Sequence, residues 1–308
     1  MPARPHIARA QTYPARSVRI IVAAAAGGTT DILARLFGQW LSERLGQQFL
    51  IENRAGGSNN IGTEAVVRAP ADGHTLLLAN TVNSINATLY SGLNYNFIRD
   101  IAPVAGLDRE PNVIVLHPSI PVTAVPEFIS FVKANAGRVN IGSAGYGTTS
   151  YMASELLKLM TGVSFVHVPY RGGALALIDL LSGQIQAMFV TLPGALEYIK
   201  AGKLHALAVT TTVRSETLPD LPTMAEYVPG FEISAWYGIV APRNTPEAII
   251  DKLNKEINAA LAAPTVKARL AALGGTPLAL SPAEFTKFIS DDTEKWARII
   301  QAADIKPE

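Results

Sequence analysis

Val18-Arg19-Ile20-Ile21-Val22 passes through Ala23-Ala24-Ala25-Ala26 into Gly27-Gly28-Thr29-Thr30-Asp31 and then into a helical pattern. The order recurs at Phe49-Leu50-Ile51, which leads to Gly56-Gly57-Ser58-Asn59-Asn60-Ile61-Gly62, and at Val139-Asn140-Ile141, which leads to Gly142-Ser143-Ala144-Gly145-Tyr146-Gly147-Thr148-Thr149-Ser150. Short apolar runs that alternate with helical patterns are what parallel βαβ construction requires, so the chain reads as α/β. Each strand exit has a physical use. Glycine lets the backbone approach a ligand, and the first helical turn offers N–H groups without intrahelical acceptors at the positive end of the helix dipole. Three such cradles with almost no lysine or arginine inside them suit a small carboxylate held by backbone and hydroxyl groups.

Outward from these loops the alternation continues. Ile32, Leu33, Leu36, Trp40 and Leu41 share a helical face, and residues 62–68 form a second helix that ends before Pro70. Thr75-Leu76-Leu77-Leu78-Ala79 is a short buried strand whose exit, Asn80-Thr81-Val82-Asn83-Ser84, is rich in hydrogen-bonding side chains. Further strands are expected at 112–116, 165–168, 187–190 and 206–209, with helices at 125–134, 151–160 and 174–181. The Pro-containing stretch Ile101-Ala102-Pro103-Val104 and the run 236–242 read as two crossings between lobes, and helices at 246–261 and 282–303 close the chain. Two crossings return the chain to its first lobe. The expected lobes are therefore 11–102 with 228–308, and 103–227, separated by a ligand cleft that a hinge can close.

The 308 residues, 48% hydrophobic, are enough for two lobes with a sizeable core. A net charge of +1 with mixed signs supplies neither a basic stripe for nucleic acid nor a polybasic patch for lipid. Without cysteine there are no disulfides, thiolate metal sites or cysteine nucleophiles. The five histidines, His6, His74, His117, His167 and His205, lack metal-ligand spacing and read as surface or strand-end residues, so no metal and no cofactor are expected. Nucleophile elbow, zinc-protease and P-loop motifs are missing, and the glycine loops do not keep the dinucleotide-binding register. These absences argue against an enzyme. Ala8-Arg9-Ala10 has the small-x-small form of an export cleavage site, although residues 1–7 carry no apolar core of a signal; 1–10 thus reads as a residual signal or a disordered segment.

Several of these stretches together resemble the Bug proteins, receptors of tripartite tricarboxylate transporters: Gly27-Gly28-Thr29-Thr30-Asp31-Ile32-Leu33-Ala34-Arg35, Glu52-Asn53-Arg54-Ala55-Gly56-Gly57, Asp72-Gly73-His74-Thr75-Leu76, Gly145-Tyr146-Gly147-Thr148, Val168-Pro169-Tyr170-Arg171-Gly172 and Trp236-Tyr237-Gly238 with Ala241-Pro242. The resemblance covers nearly the whole chain from Tyr13 onward. It implies a two-lobed type II periplasmic-binding fold, each lobe a mainly parallel sheet flanked by helices, with periplasmic location, no catalysis, a monomeric state and membrane permease subunits as partners. Ala23 to Ala26 stand where such receptors usually carry an aromatic residue and a proline pair, which leaves room at the cleft wall. Val190-Thr191 stand where an acidic or amide pair is common, which removes a counter-charge for an ammonium group and favours a plain dicarboxylate.

The expected ligand-binding set is thus Gly27, Gly28, Thr29, Asp31, Gly56, Gly57, Ser58 and Asn60 on one side. On the other stand Gly145, Gly147, Thr148 and Ser150, with Asn80, Ser84, Tyr170 and Thr191 shaping the walls. Asp31 also suits a helix start, where the dipole favours an acid. Tyr170 and Trp236 suit the core as well as the cleft. A ligand-sensing domain of a regulator with the same fold is the alternative reading.

Overall fold

The computed structural model describes residues 13–170 and 172–307; the segment 1–10 and Arg171 lie outside the described residues. In the first half, strands β1 (Val18–Val22), β2 (Phe49–Asn53) and β3 (Thr75–Asn80) alternate with helices α1 (Thr29–Leu45), α2 (Asn60–Val67) and α3 (Thr81–Leu89). β1 lies between β2 and β3, parallel to both. Their side chains are buried on both faces: Val18, Ile20 and Val22 enter one core cluster, Ile21 and Ala23 another. That is why these strands read as unbroken apolar runs. The buried stripe of α1 is Leu33, Ala34, Phe37, Gly38 and Leu41, while Ile32, Leu36 and Trp40 are only half-buried. Phe37 joins the inward face because Gly38 lets the helix sit close on the sheet, where a Cβ would come within 2.9 Å of Ile51.

After the short helix α4 (Phe97–Asp100), the chain enters β4 (Ile101–Leu116), which belongs to two sheets. Residues from Ile101 to Pro111 run antiparallel to β9 (Ser234–Pro242), and β9 in turn runs antiparallel to β3. From Asn112 onward, β4 pairs instead with β7 (Ala187–Thr191) and β8 (His205–Val209), both antiparallel. The change falls at Pro111, a residue with no N–H to donate to a ladder. The second sheet is completed by β5 (Asn140–Ser143), parallel to β7 and to β6 (Val166–Pro169). Each sheet is thus a three-stranded parallel unit extended by antiparallel crossing strands. Helices α5 (Val125–Ala134), α6 (Thr149–Thr161), α7 (Gly173–Leu181) and α8 (Leu192–Lys200) flank the second sheet. Val113 and Val115 face one core cluster there, and Ile114 and Leu116 another.

The remaining elements are α9 (Glu247–Ala262), α10 (Pro264–Ala272), the two-residue β10 (Thr276–Pro277), which pairs with β4, and α11 (Pro282–Ala302). Ser281 and Glu284 form a capping box that fixes the start of α11. Near that start, Phe285 and Phe288 pack edge-on to Trp236 with the first sheet's core. Near its end, Trp296 and Ile300 enter a cluster with Ile114, Met152 and Phe189 of the second sheet. The last helix therefore straddles both sheets. No described helix is long and apolar enough to cross a membrane.

Candidate functional site

The first glycine turn is fixed by Asp31. Its carboxylate accepts from the Gly27 N–H (3.0 Å), from Arg35 Nε and Nη2 (both 3.0 Å) and from Asn53 Nδ2 (3.0 Å), and Asn53 also donates to Ala24 O. The Arg35 guanidinium holds this carboxyl below the usual range, so it stays ionised. Asp31 and the Gly27 N–H are therefore committed to the loop itself. The N–H groups of Gly28, Thr29 and Thr30 remain at the start of α1 without intrahelical acceptors. A Cβ on Gly28 would meet nothing within 4 Å, so open space lies in front of this backbone. In the alanine run, Ala23 and Ala24 pack against core clusters, and Ala25 and Ala26 are exposed.

The second turn is held in a left-handed conformation over three residues, Gly57 (φ 53°), Ser58 (φ 49°) and Asn59 (φ 70°). Side-chain-bearing residues adopt that conformation at a cost, and neighbours here compensate for it. Asn59 Nδ2 donates to Asn80 Oδ1 (3.1 Å), Asn80 Nδ2 reaches Thr30 Oγ1 (3.4 Å), and Asn86 Nδ2 donates to Ser58 O and to Asn60 Oδ1. Asn60 Oδ1 also accepts from Tyr95 (2.7 Å). The first and second turns are thereby joined through Asn59, Asn80 and Thr30. Asn80 also forms, with Asn83, the capping box that starts α3, so the stretch expected as a polar strand exit is a helix start. Ser84 is buried beside Asp292 of α11 rather than in a cleft wall.

The third turn is organised by hydroxyls. Ser150 Oγ accepts from the Ala144 N–H (2.9 Å), Thr148 Oγ1 donates to Gly145 O (2.6 Å), and the Gly145 N–H donates to Ser143 Oγ (3.1 Å). Ser143 Oγ and His167 Nε2 share a hydrogen bond of 2.7 Å; burial and the Lys158 charge push that imidazole down to about 4, so it is neutral near pH 7. Gly147 brings this loop against α3, where a Cβ would meet Leu89 and Asn86 Oδ1 at 3.3 and 3.4 Å. Asn86 thus touches both the second and the third turn. Tyr170 is tied to the second lobe by its hydroxyl bond to Asp179 (2.6 Å), and Thr191 sits half-buried opposite Asn112 at the end of β7. Trp236 is core: it is 1% exposed, with Nε1 donating to Asp292 (2.6 Å).

Beneath the first and third turns runs a polar stripe that sequence reasoning missed. Asp108, Glu110 and Asn112 alternate along β4 and are all fully buried. Glu110 accepts from the Tyr237 hydroxyl (3.3 Å), and that oxygen lies beside the hydroxyl of Thr29 at the start of α1. Asn112 Oδ1 faces Thr149 Oγ1 (3.5 Å) at the start of α6, while its Nδ2 has no partner among the described residues. Burial pushes Asp108 up; burial and then the Asp108 charge push Glu110 well up. At the exchange of sheets, Thr210 bonds to Asn112 through N–H (2.8 Å) and hydroxyl and accepts from Ile233 N–H (2.9 Å), so it links the two crossing strands. The arginines near the first two turns, Arg35 and Arg54, are paired with Asp31 and Glu52. A 440 Å³ cavity beside Tyr90, Asn94 and Tyr95 and a 650 Å³ cavity beside Ile199, His205 and Leu218 lie outside the ring of glycine turns.

Residues 33–305 match the tripartite tricarboxylate transporter family receptor. The chain belongs to that receptor family. Protein BugT of Bordetella pertussis is 36% identical over 96% of this chain and 92% of its own length. The solved structure of R. palustris Rpa4515 with adipate superposes with a TM-score of 0.89 at 36% identity, covering 96% of this chain and all of that one. MatC (Rpa3494) from Rhodopseudomonas palustris with bound malate gives 0.84 at 32% identity, over 94% of this chain and all of that one. The receptor thus has the two-lobed type II periplasmic-binding fold, and its family is one of solute receptors.

Proposed function

We propose that this receptor is extracytoplasmic, captures a small dicarboxylate between its lobes without turning it over, and presents it as a monomer to the permease subunits of a tripartite transporter in the periplasm. The observation that carries the reading is the convergence of two helix starts from opposite lobes, at Thr29 and at Thr149, over the stripe on β4. Both offer N–H and hydroxyl donors, and the arginines near the first two turns are already paired. Gly28 and Thr29, with Gly56, Gly57 and Ser58, receive one carboxylate; Gly145, Gly147, Thr148 and Ser150 receive the other end. Relatives seen with adipate and with malate support this class of ligand.

A thermal-shift series with succinate, adipate, terephthalate and citrate tests it, since a ligand that binds only the folded state raises the melting temperature. The expected affinity is micromolar, about −8 kcal/mol, as a receptor that must release its cargo requires. A flat response to every acid, or recovery of an altered ligand after long incubation, overturns the reading. The exposed Ala25 marks the wall that gauges length. Ala25→Phe is expected to shift preference from adipate toward succinate by about 1–3 kcal/mol, and equal changes for both ligands would show that residue 25 does not face them. The regulator reading is separated by uptake: a deletion strain that still imports the bound acid through its permease favours sensing.

A further inference from the structure

We propose that Glu110, with Asp108, is a positioning residue of the ligand site: the proton content of this buried pair sets which way the Tyr237 and Thr29 hydroxyls point, and capture of a carboxylate draws one proton into the pair. The inference rests on the carboxylate reading given above. Its basis is a count of donors. Asp108 Oδ1 and Oδ2 and Glu110 Oε1 have no side-chain donor of their own among the described residues, the Arg109 backbone N–H being the donor beside Asp108, and the two carboxyls lie within hydrogen-bonding reach of each other. Two ionised carboxylates so placed repel, and one shared proton relieves that. With a single proton between them, Glu110 Oε2 still accepts from Tyr237, and the tyrosine oxygen is then free to accept from Thr29, which turns the threonine proton away from the cleft. With a second proton the chain reverses. Asp108 then donates to Glu110, Glu110 to Tyr237 and Tyr237 to Thr29, leaving the Thr29 proton for an anion in front of Gly28.

Among the described residues, no cation competes for this role. Arg109, the intervening residue on β4, projects to the other face and pairs with Glu232. On β9 the facing titratable group is Tyr237, and on α1 Asp31 is held by Arg35. From α11, Asp292 bonds to Trp236 and Lys295 to Glu232 on the opposite side of the ladder. On α9, Asn254 reaches Val104, Glu256 pairs with Arg44, and Asp251 and Lys255 are exposed. The residues of β10 beside Asp108, Thr276 and Pro277, do not ionise.

The test is calorimetric titration of the full chain with adipate and with succinate at pH 6, 7.5 and 9, each in two buffers of different ionisation enthalpy. Both diacids are fully ionised across most of that range, so their own protons do not set the slope. The expected result is a dissociation constant that rises with pH, by at most about tenfold per unit, with uptake of up to one proton per ligand bound. Glu110→Gln, whose amide donates without ionising, flattens the profile and abolishes the uptake. Tyr237→Phe, which keeps the ring and removes the relay oxygen, also flattens it and binds more weakly at every pH. If Glu110→Gln does not fold, Tyr237→Phe alone decides. A pH-independent wild-type affinity, or a variant that keeps the wild-type slope, overturns the relay while leaving the carboxylate reading intact. Failure of folded wild type to bind either diacid at pH 6 overturns both.

Discussion

The β4–β9 ladder has acids on both faces, half-buried on one and fully buried on the other, and the two faces treat them differently. On the face toward α11, Glu232 meets Arg109 (2.7 Å), Lys295 and Ser234, and Asp292 receives the Trp236 indole N–H. On the face under the first glycine turn, Asp108 and Glu110 meet each other and Tyr237. Unpaired ionised carboxyls cannot persist in such an interior, so Glu232 is kept charged by its paired cations, Asp292 is pushed up by burial, and the second face lowers its charge by holding protons. On the proposed carboxylate reading the division follows function. The α11 face packs against the cores of both sheets and has no need to respond, whereas the other lies under the turn proposed to accept the anion.

The largest effect that sharpens this contrast belongs to the α11 face. Trp236→Ala removes a buried indole packed edge-on to Phe285 and Phe288 (5.7 and 5.8 Å) and leaves Asp292 without its donor. A loss of about 3–5 kcal/mol is expected in denaturant titration, with ligand preference unchanged in whatever fraction folds. A loss below about 1 kcal/mol would mean that this face does not hold the lobes together.

Gly28→Ala is the counterpart on the other face. Because a Cβ at this N-cap meets no protein atom, folding stability should fall by no more than about 1 kcal/mol. The same methyl occupies the space assigned to the ligand, so affinity should fall about thirtyfold, near 2 kcal/mol. Equal affinity for wild type and variant would move the site away from α1.

How far the sequence alone reaches is seen in the same region. Helix α5 is expected and found at residues 125–134, and the two expected crossings, near 101–104 and 236–242, fall where β4 and β9 run. Strands buried on both faces and glycine turns are local signals, and they survive folding. The continuity of β4 through Asp108-Arg109-Glu110-Pro111 is not legible, because two acids and a proline read as a break and only tertiary burial overrides that. For the same reason the stripe of Asp108, Glu110 and Asn112 escapes notice; alternating polar residues at spacing two are its only trace in sequence. The Asn80 and Asn83 capping box has a signal, two asparagines three residues apart, but it reads equally as a polar strand exit. The engagement of Asn60 by Asn86 and Tyr95, 26 and 35 residues away, has none.

Glu232 and the Asp108–Glu110 pair should also answer pH in opposite senses in the absence of ligand. Burial alone would raise Glu232, but Lys295 and Arg109 overcome it and its folded value is lowered. Its stabilisation is present above its unfolded value and is lost as pH falls through the folded one. Asp108 and Glu110 are raised, so the native state holds protons that the unfolded chain has released. Their contribution is complete below the ordinary carboxylate value near 4 and is lost as pH rises through the folded values, by up to about 1.4 kcal/mol per unit for each proton. Melting temperatures from pH 3 to 9 should therefore fall at both ends, with Glu232→Gln blunting the acid limb and Asp108→Asn the alkaline one. Interchange of those two effects would reverse the assignment of the faces.

The smallest expected effect concerns salt. Surface charges separated by more than about 8 Å are largely screened at 0.15 M ionic strength, so a site built from exposed arginines loses affinity steeply as salt is added. Here Arg35 and Arg54 are already paired with Asp31 and Glu52, so the proposed site would hold its ligand by helix-start N–H groups and hydroxyls at close range. Such short-range donors sit inside the screening length and act by contact. Raising sodium chloride from about 0.05 to 0.5 M should weaken adipate binding by less than about threefold. A tenfold or greater loss would place an unpaired cation in the cleft, and since Arg171 directly precedes Gly172 and Gly173 in the sequence, Arg171→Gln would then be the variant that removes the salt dependence.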